Sequence, residues 1–358
     1  MRYKLDGYIK NNNLNWIRLI LASFVIVGHS YAIAPTAGAV DLIASWFGFV
    51  YSGSLAVKIF FFISGLLVCN SLINNSNPIR YVISRAFRII PALFLLLIIT
   101  TLIIGPLVTS LPVTEYFSNK QVLTYFLTNL NLFTNEYHIL PGVFSSNPYP
   151  SSVNGSLWTL PKEVLMYSFL LVFSMVGLVK RKVLFSILLV YIIFLPIILP
   201  LWFFEFFNSN SEVYYLPACF ALGCLASLWK EQIGIGFFQL LFLFSLTLLL
   251  KSTVFYHLFF YITSFYLVLL VSDCRIFNFP KMTLDLSYGV YIYSFLIQQL
   301  VIFYLPNSNY FFNILITLLI CYPAAYFSCK MIEEPSISAG RKLVARLNKP
   351  PLKAIKEA

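Results

Sequence analysis

Ten stretches of roughly twenty residues, each almost wholly apolar, run through this chain with mostly short loops between them, the basic residues gathered in alternate loops. A helix needs about 20 apolar residues to cross a bilayer core of about 30 Å. In lipid the backbone must satisfy its own hydrogen bonds, and within one segment only a helix does so. The pattern therefore predicts an all-α polytopic membrane protein, a bundle of about ten transmembrane helices. The predicted spans are Asn15 to Ala34, Ser54 to Ile73, Ile83 to Val108, Leu157 to Val179 and Leu184 to Phe203. They continue with Val213 to Trp229, Ile233 to Leu250, Thr253 to Ser272, Leu286 to Tyr304 and Tyr310 to Cys329. One long connection, Thr109 to Ser156, interrupts the series. Within it Val122 to Phe133 is too short to span and is expected at the interface or as a re-entrant segment.

Composition agrees. Hydrophobic residues make up 59% of the 358 and charged residues only 10%, where a soluble domain carries about 25% charged. That excludes a soluble globular enzyme, a disordered chain and a small disulfide scaffold. A net charge of +11 raises a nucleic-acid reading, but the basic residues cluster in loops between apolar runs, where they set topology. No nucleic-acid partner is expected. The six cysteines have no CxxC spacing, so neither a disulfide nor a metal site is expected. Leu14 to Ala34 is too long for a signal h-region of about 7–15 residues and is read as the first span.

Charge orients the bundle. With the N-terminus in the cytoplasm, nineteen of the 24 Lys and Arg fall on the cytoplasmic side and only Lys120 and Lys251 outside. The remaining three, Arg18, Lys58 and Lys162, lie within or at the edge of spans. This asymmetry obeys the positive-inside rule and puts both termini in the cytoplasm. Residues 1–340 are read as one transmembrane domain and 341–358 as a basic cytoplasmic tail.

Charge inside the membrane is costly and is kept where it faces a bundle interior or a water-filled path. Arg18 and His29 are eleven residues apart, three helical turns, so they share a face about 16 Å apart along the axis. Either Arg18 is a snorkelling anchor and His29 an interhelical hydrogen-bond donor, or the two belong to a site. Glu163 lies one to two turns into the fourth span, with Tyr167 at i+4 on the same face. Lys58 is at similar depth in the second span. Lys58 and Glu163 either form a buried ion pair between two helices or mark a site. Arg85 and Arg88, at i and i+3 on the cytoplasmic side of the third span, either flank the membrane or present two guanidinium forks to a phosphate. The same buried charges fit a secondary transporter, which would bring broken helices and repeat symmetry; no internal repeat is visible.

Six segments together resemble the acyltransferase-3 family of integral membrane acyltransferases. Arg18 and His29 match its Arg, ten residues, His signature. Phe60-Phe61-Phe62-Ile63-Ser64-Gly65-Leu66-Leu67 resembles its Phe-rich Ser-Gly stretch. Arg85-Ala86-Phe87-Arg88-Ile89-Ile90-Pro91 is similar to its Arg-x-x-Arg motif followed by Pro. Asn154 to Glu163, with Trp158, and then Tyr167, resembles its Trp-containing helix start with a Glu. Ser287-Tyr288-Gly289-Val290-Tyr291 and Glu333-Glu334-Pro335 resemble two late motifs. Asn15 stands where the family often has Asp, Lys58 where an acid is common, and Ser294 where a second His is common. The esterase-like domain fused to some members is expected to be absent.

The resemblance implies transfer of an acyl group, commonly acetyl from acetyl-CoA, to a hydroxyl of an extracytoplasmic surface polysaccharide or its lipid-linked precursor. The setting implied is a bacterial inner membrane. It implies no cofactor beyond acyl-CoA as donor substrate. His29, Glu163 and Tyr167 are the implied catalytic group, with His29 as base or relay. Arg18, Arg85, Arg88, Lys58 and Trp158 are the implied substrate-binding residues.

Overall fold

The apolar runs fold as helices in the computed structural model, which describes residues 3–4, 13–150, 152–199, 211–273 and 282–347. In order they are α1 (Asn13–Ile33), α2 (Ser52–Asn74) and α3, which runs as Pro78–Ile98, a π segment Ile99–Ile104 and a last turn Gly105–Val108. Next come α4 (Thr159–Met175), α5 (Lys182–Ile198), α6 (Leu216–Leu228), α7 (Phe237–Leu249) and α8 (Tyr256–Asp273). The last are α9 (Ser287–Tyr304) and α10 (Tyr310–Ser328), which passes through a π turn, Cys329–Glu333, into α11 (Glu334–Leu347). The bundle turns large apolar side chains outward: Leu107 is 71% exposed, Phe238 83% and Leu249 79%. Such an exterior suits lipid and not water.

Among the described residues, four helices are long and apolar enough to cross a membrane by length and composition: α1, α2, α3 and the continuous Tyr310–Leu347. The sixth and seventh predicted spans are shorter than expected. α6 and α7 have 13 residues each, about 20 Å at 1.5 Å per residue. Hydropathy runs through positions where the backbone is not helical. Pro217 stands in the first turn of α6 and delays its start. Gly234–Ile235, expected inside the seventh span, pairs instead as a two-residue antiparallel strand (β2) with Tyr3–Lys4 (β1). That pairing holds Tyr3 and Lys4 beside the turn before α7. The end of the fifth predicted span lies outside the described residues. α11 crosses the expected boundary at 340/341, and residues 348–358 of the predicted tail are outside the described set.

Close helix contact explains one of the motifs. A Cβ on Gly65 would lie 2.1 Å from the Phe220 carbonyl oxygen, and one on Gly223 the same distance from that of Phe62. The backbones of α2 and α6 therefore touch, as helices in lipid do where small residues meet.

The long connection holds two short helices, Val113–Ser118 and Lys120–Leu130; the second covers most of the segment expected to be too short to span. Its C-terminal part is clamped to α9. Gln299 Nε2 donates to the carbonyls of Tyr149 (2.8 Å) and Ser152 (2.7 Å), while its Oε1 accepts from Asn147 Nδ2 (2.8 Å). Asn154 Nδ2 donates to the Ile292 carbonyl at 2.8 Å. Gln299→Leu is expected to lower the thermal midpoint in detergent and to open residues 145–156 to protease. Each buried group left unpaired costs about 1–3 kcal/mol. An unchanged midpoint and digestion pattern would show that these bonds do not hold the loop.

Candidate active site

Side chains from four elements meet at one end of the bundle: Arg18 in the second turn of α1, Arg88 about three turns into α3, Asp285 in the loop before α9 and Glu333 in the π turn after α10. Asp285, in that loop, accepts from Arg18 Nη1 and, at 2.7 Å, from Arg88 Nη2. Arg88 Nη1 reaches Glu333 Oε2 at 3.1 Å. The hydroxyl of Ser287 donates to Asp285 Oδ1 at 2.6 Å, and its amide does so at 3.2 Å. Burial raises the Asp285 pKa, but Arg18, Arg88 and these hydrogen bonds outweigh it and hold the carboxyl down at about 2.

Beside this cluster a cavity of about 810 Å³ opens between α1, α2, α3, α4, α9 and α11. Ligand sites of about 300–1,000 Å³ are usual. Its walls hold Arg18, Arg85, Arg88, Glu163 and Tyr167 together, so five of the eight predicted site residues share one space. The Tyr167 hydroxyl donates to Glu163 Oε1, as the i+4 spacing predicts, and Ser64 Oγ donates to the same oxygen at 3.0 Å. The hydroxyls of Ser64 and Tyr167 are 2.7 Å apart. The Ser-Gly pair of α2 thus has two jobs: Gly65 admits α6, and Ser64 meets α4. At the inner end Thr159 and Tyr291, both lining, share a hydrogen bond of 2.7 Å.

The two arginines of α3 differ. Arg88 has its fork committed to two carboxylates and does not present the open fork that the i, i+3 spacing had suggested; Arg18 is tied to one of the same carboxylates. Arg85 lies over the Tyr167 ring at 5.9 Å and makes a 3.4 Å contact from Nε to Ser84 Oγ. It has no carboxylate partner among the described residues, and neither do Arg80 and Arg341, which line the same cavity.

Three predicted residues lie elsewhere. Lys58 does not pair with Glu163: it is buried and donates to Glu212 Oε2 at 2.5 Å and to Ser54 Oγ at 2.6 Å. Glu212 is 154 positions away, beyond the reach of a helix-face argument. Trp158 ends the turn Gly155–Trp158 and packs against the core, outside the cavity lining. His29 is also outside the lining. Its ring meets Phe295 edge-on at 5.1 Å, and its Nδ1 is buried with no hydrogen-bond partner among the described residues. Phe295 is one turn along α9 from Tyr291 at the cavity's inner end. Ser294, where a second His is common, donates to the Tyr291 carbonyl at 3.1 Å.

The acyltransferase-3 family, described as an acyltransferase domain, matches residues 11–329. The chain belongs to this family. This acyltransferase-3 protein is similar to an "O-acetyl transferase" of Shigella phage Sf6, 29% identical over 309 residues, 82% of this chain and 86% of that one. It is also similar to "Nodulation protein 10" of Rhizobium leguminosarum bv. viciae, 29% identical over 160 residues, 44% of this chain and 42% of that one. No solved structure matches it. The family makes it a multi-pass membrane acyltransferase and sets aside the transporter alternative.

Asp285, Arg80 and Arg341 were not singled out from the sequence. Asp285 had one signal, an acid on the basic side of the bundle two residues before the Ser-Tyr-Gly motif.

Proposed function

We propose that this acyltransferase moves an acetyl group from cytoplasmic acetyl-CoA to a hydroxyl of an extracytoplasmic surface polysaccharide or its lipid-linked precursor, in a bacterial inner membrane. The observation that carries the reading is the cavity. It opens at the basic end of the bundle, has at its walls guanidinium groups without carboxylate partners among the described residues, and leads inward to Glu163, Tyr167 and Tyr291. A polyanionic nucleotide thioester matches that order, with charge at the mouth and the acyl end inside. The phage relative's name, an O-acetyl transferase, supports acetyl as the acyl group.

His29 is the proposed base. In direct transfer the acceptor hydroxyl gives its proton to the imidazole and its oxygen bonds to the thioester carbonyl carbon. The carbon–sulfur bond then breaks, and the departing thiolate takes the proton back from His29. The thioester approaches His29 past Tyr291 and Phe295. Glu163, held by Tyr167 and Ser64, faces the cavity on the path that the donor's pantetheine arm takes inward. The acceptor comes from the opposite side, over the polar stretch 145–156 clamped to α9.

Arg85→Ala is expected to fold as the parent does and to raise the KM for acetyl-CoA about tenfold to a hundredfold, through loss of a charge-assisted contact. Lys restores only part, lacking the bidentate fork. An unchanged KM would make Arg85 a topology signal alone. The function itself is tested by NMR of surface glycans from cells with and without this chain. O-acetyl signals that depend on it are expected; identical spectra would contradict the reading.

A further inference from the structure

The rim of the cavity has a wall that hydropathy assigns to a tail. α11 lies along α3 because residue 340 is glycine: a Cβ there would be 2.9 Å from Phe87 Cγ and 3.1 Å from its Cβ. This approach turns Ile337, Arg341 and Val344 of α11 onto the cavity. Their spacing of i, i+4 and i+7 is one helix face. Lys342 and Arg346 are absent from the lining, so positive-inside flanking accounts for them and not for the placement of Arg341. Arg80, in the first turn of α3, lines the same rim. The acid Glu334 also lines the cavity, but it is seven residues before Arg341, about 10 Å along α11.

We propose that Arg341 and Arg80 form a subsite at the mouth of the cavity that recognises the terminal 3′-phosphate of a CoA thioester. This rests on the acyl-CoA reading above and adds a part of the donor to it. Depth along α3 gives the order. Arg85 is five residues inside Arg80, about 7–8 Å deeper, and Glu163 and Tyr167 are beside it. A CoA thioester has a fixed order of its own: acyl group, pantetheine arm, pyrophosphate, then the 3′-phosphorylated ribose. With the acyl end innermost, Arg85 meets the pyrophosphate and the outer pair meets the terminal phosphate. Two guanidinium forks converging on one phosphate dianion are a strong recognition unit.

The test compares acetyl-CoA with 3′-dephospho-acetyl-CoA as donors in inverted membrane vesicles. The parent is expected to use the dephospho donor with kcat/KM about tenfold or more lower. Arg341→Ala and Arg80→Ala should lose a similar factor with acetyl-CoA, mainly in KM, and nothing with the dephospho donor. Gly340→Leu, which pushes α11 away from Phe87, should erase the preference in the same way. Lys342→Ala should leave both donors unchanged. Equal losses on both donors in Arg341→Ala, a parent indifferent to the 3′-phosphate, or an equal effect of Lys342→Ala would each overturn the subsite. Transfer from neither donor by the parent would overturn the acyl-CoA reading together with it.

Discussion

The His29→Gln variant is expected to insert and fold like the parent and to lose at least about a hundredfold of its acyl transfer. A general base contributes about 10²–10⁴-fold, and an amide can donate and accept hydrogen bonds but cannot take a proton near pH 7. The surroundings of His29 make the variant decisive. The imidazole Nδ1 has no hydrogen-bond partner among the described residues, and the ring packs edge-on to Phe295. Replacing it therefore orphans no polar group at Nδ1, and stability should change little. A purely structural His29 predicts that Gln is tolerated in every assay. The measurement is O-acetyl content of the glycan at matched protein level, beside acetyl-CoA binding, which should be retained. Near-normal acetylation would move the base elsewhere, with Glu163 the next candidate.

Arg88→Ala has the largest expected effect on stability. Arg88 is the residue that joins Asp285 to Glu333, whose side chain is fully buried. Removing one partner from a buried ion cluster leaves an uncompensated charge and typically costs about 3–5 kcal/mol. The folded fraction in detergent and its thermal midpoint should fall. Arg88→Lys should recover only part, since an ammonium cannot fork to two carboxylates. The companion Arg85→Ala should keep the parental midpoint, because Arg85 has no carboxylate partner among the described residues to abandon. The Asp285 pairing also sets a pH window. Its pKa is depressed in the fold, so its contribution is complete above the unfolded value of about 4 and is lost as pH falls through about 2. A parental midpoint in Arg88→Ala would show that the cluster contributes nothing net.

The helices were legible because lipid demands long apolar runs, and the run is the signal. The first predicted span, Asn15 to Ala34, overlaps α1 almost end to end, and Leu286 to Tyr304 nearly coincides with α9. Where a proline or a strand pairing breaks the helix inside an apolar run, as before α6 and α7, hydropathy overshoots. The i+4 pairing of Glu163 with Tyr167 was legible because it is local. The shared face of Arg18 and His29 was legible too, and both contacts lie toward α9, through Asp285 and Phe295. Partners separated by 154 to 267 positions were not legible, so Lys58 was matched with the wrong acid and the Arg18–Asp285–Arg88 cluster went unseen. The second half of α11, from 341 on, was read as a tail for a related reason: its role depends on Gly340 meeting Phe87, which no local pattern announces.

The central claim is that the acyl donor enters from the basic end of the bundle and the acceptor from the other. Inverted membrane vesicles carrying this chain and its native glycan expose the basic end to the bath. With radiolabelled acetyl-CoA added outside them, label should appear in glycan enclosed in the vesicle lumen, protected from added glycan-degrading enzymes until detergent opens the membrane. Right-side-out vesicles given the same donor in the bath should stay unlabelled. Labelling in right-side-out vesicles alone, or label confined to the outer face of the inverted ones, would contradict it.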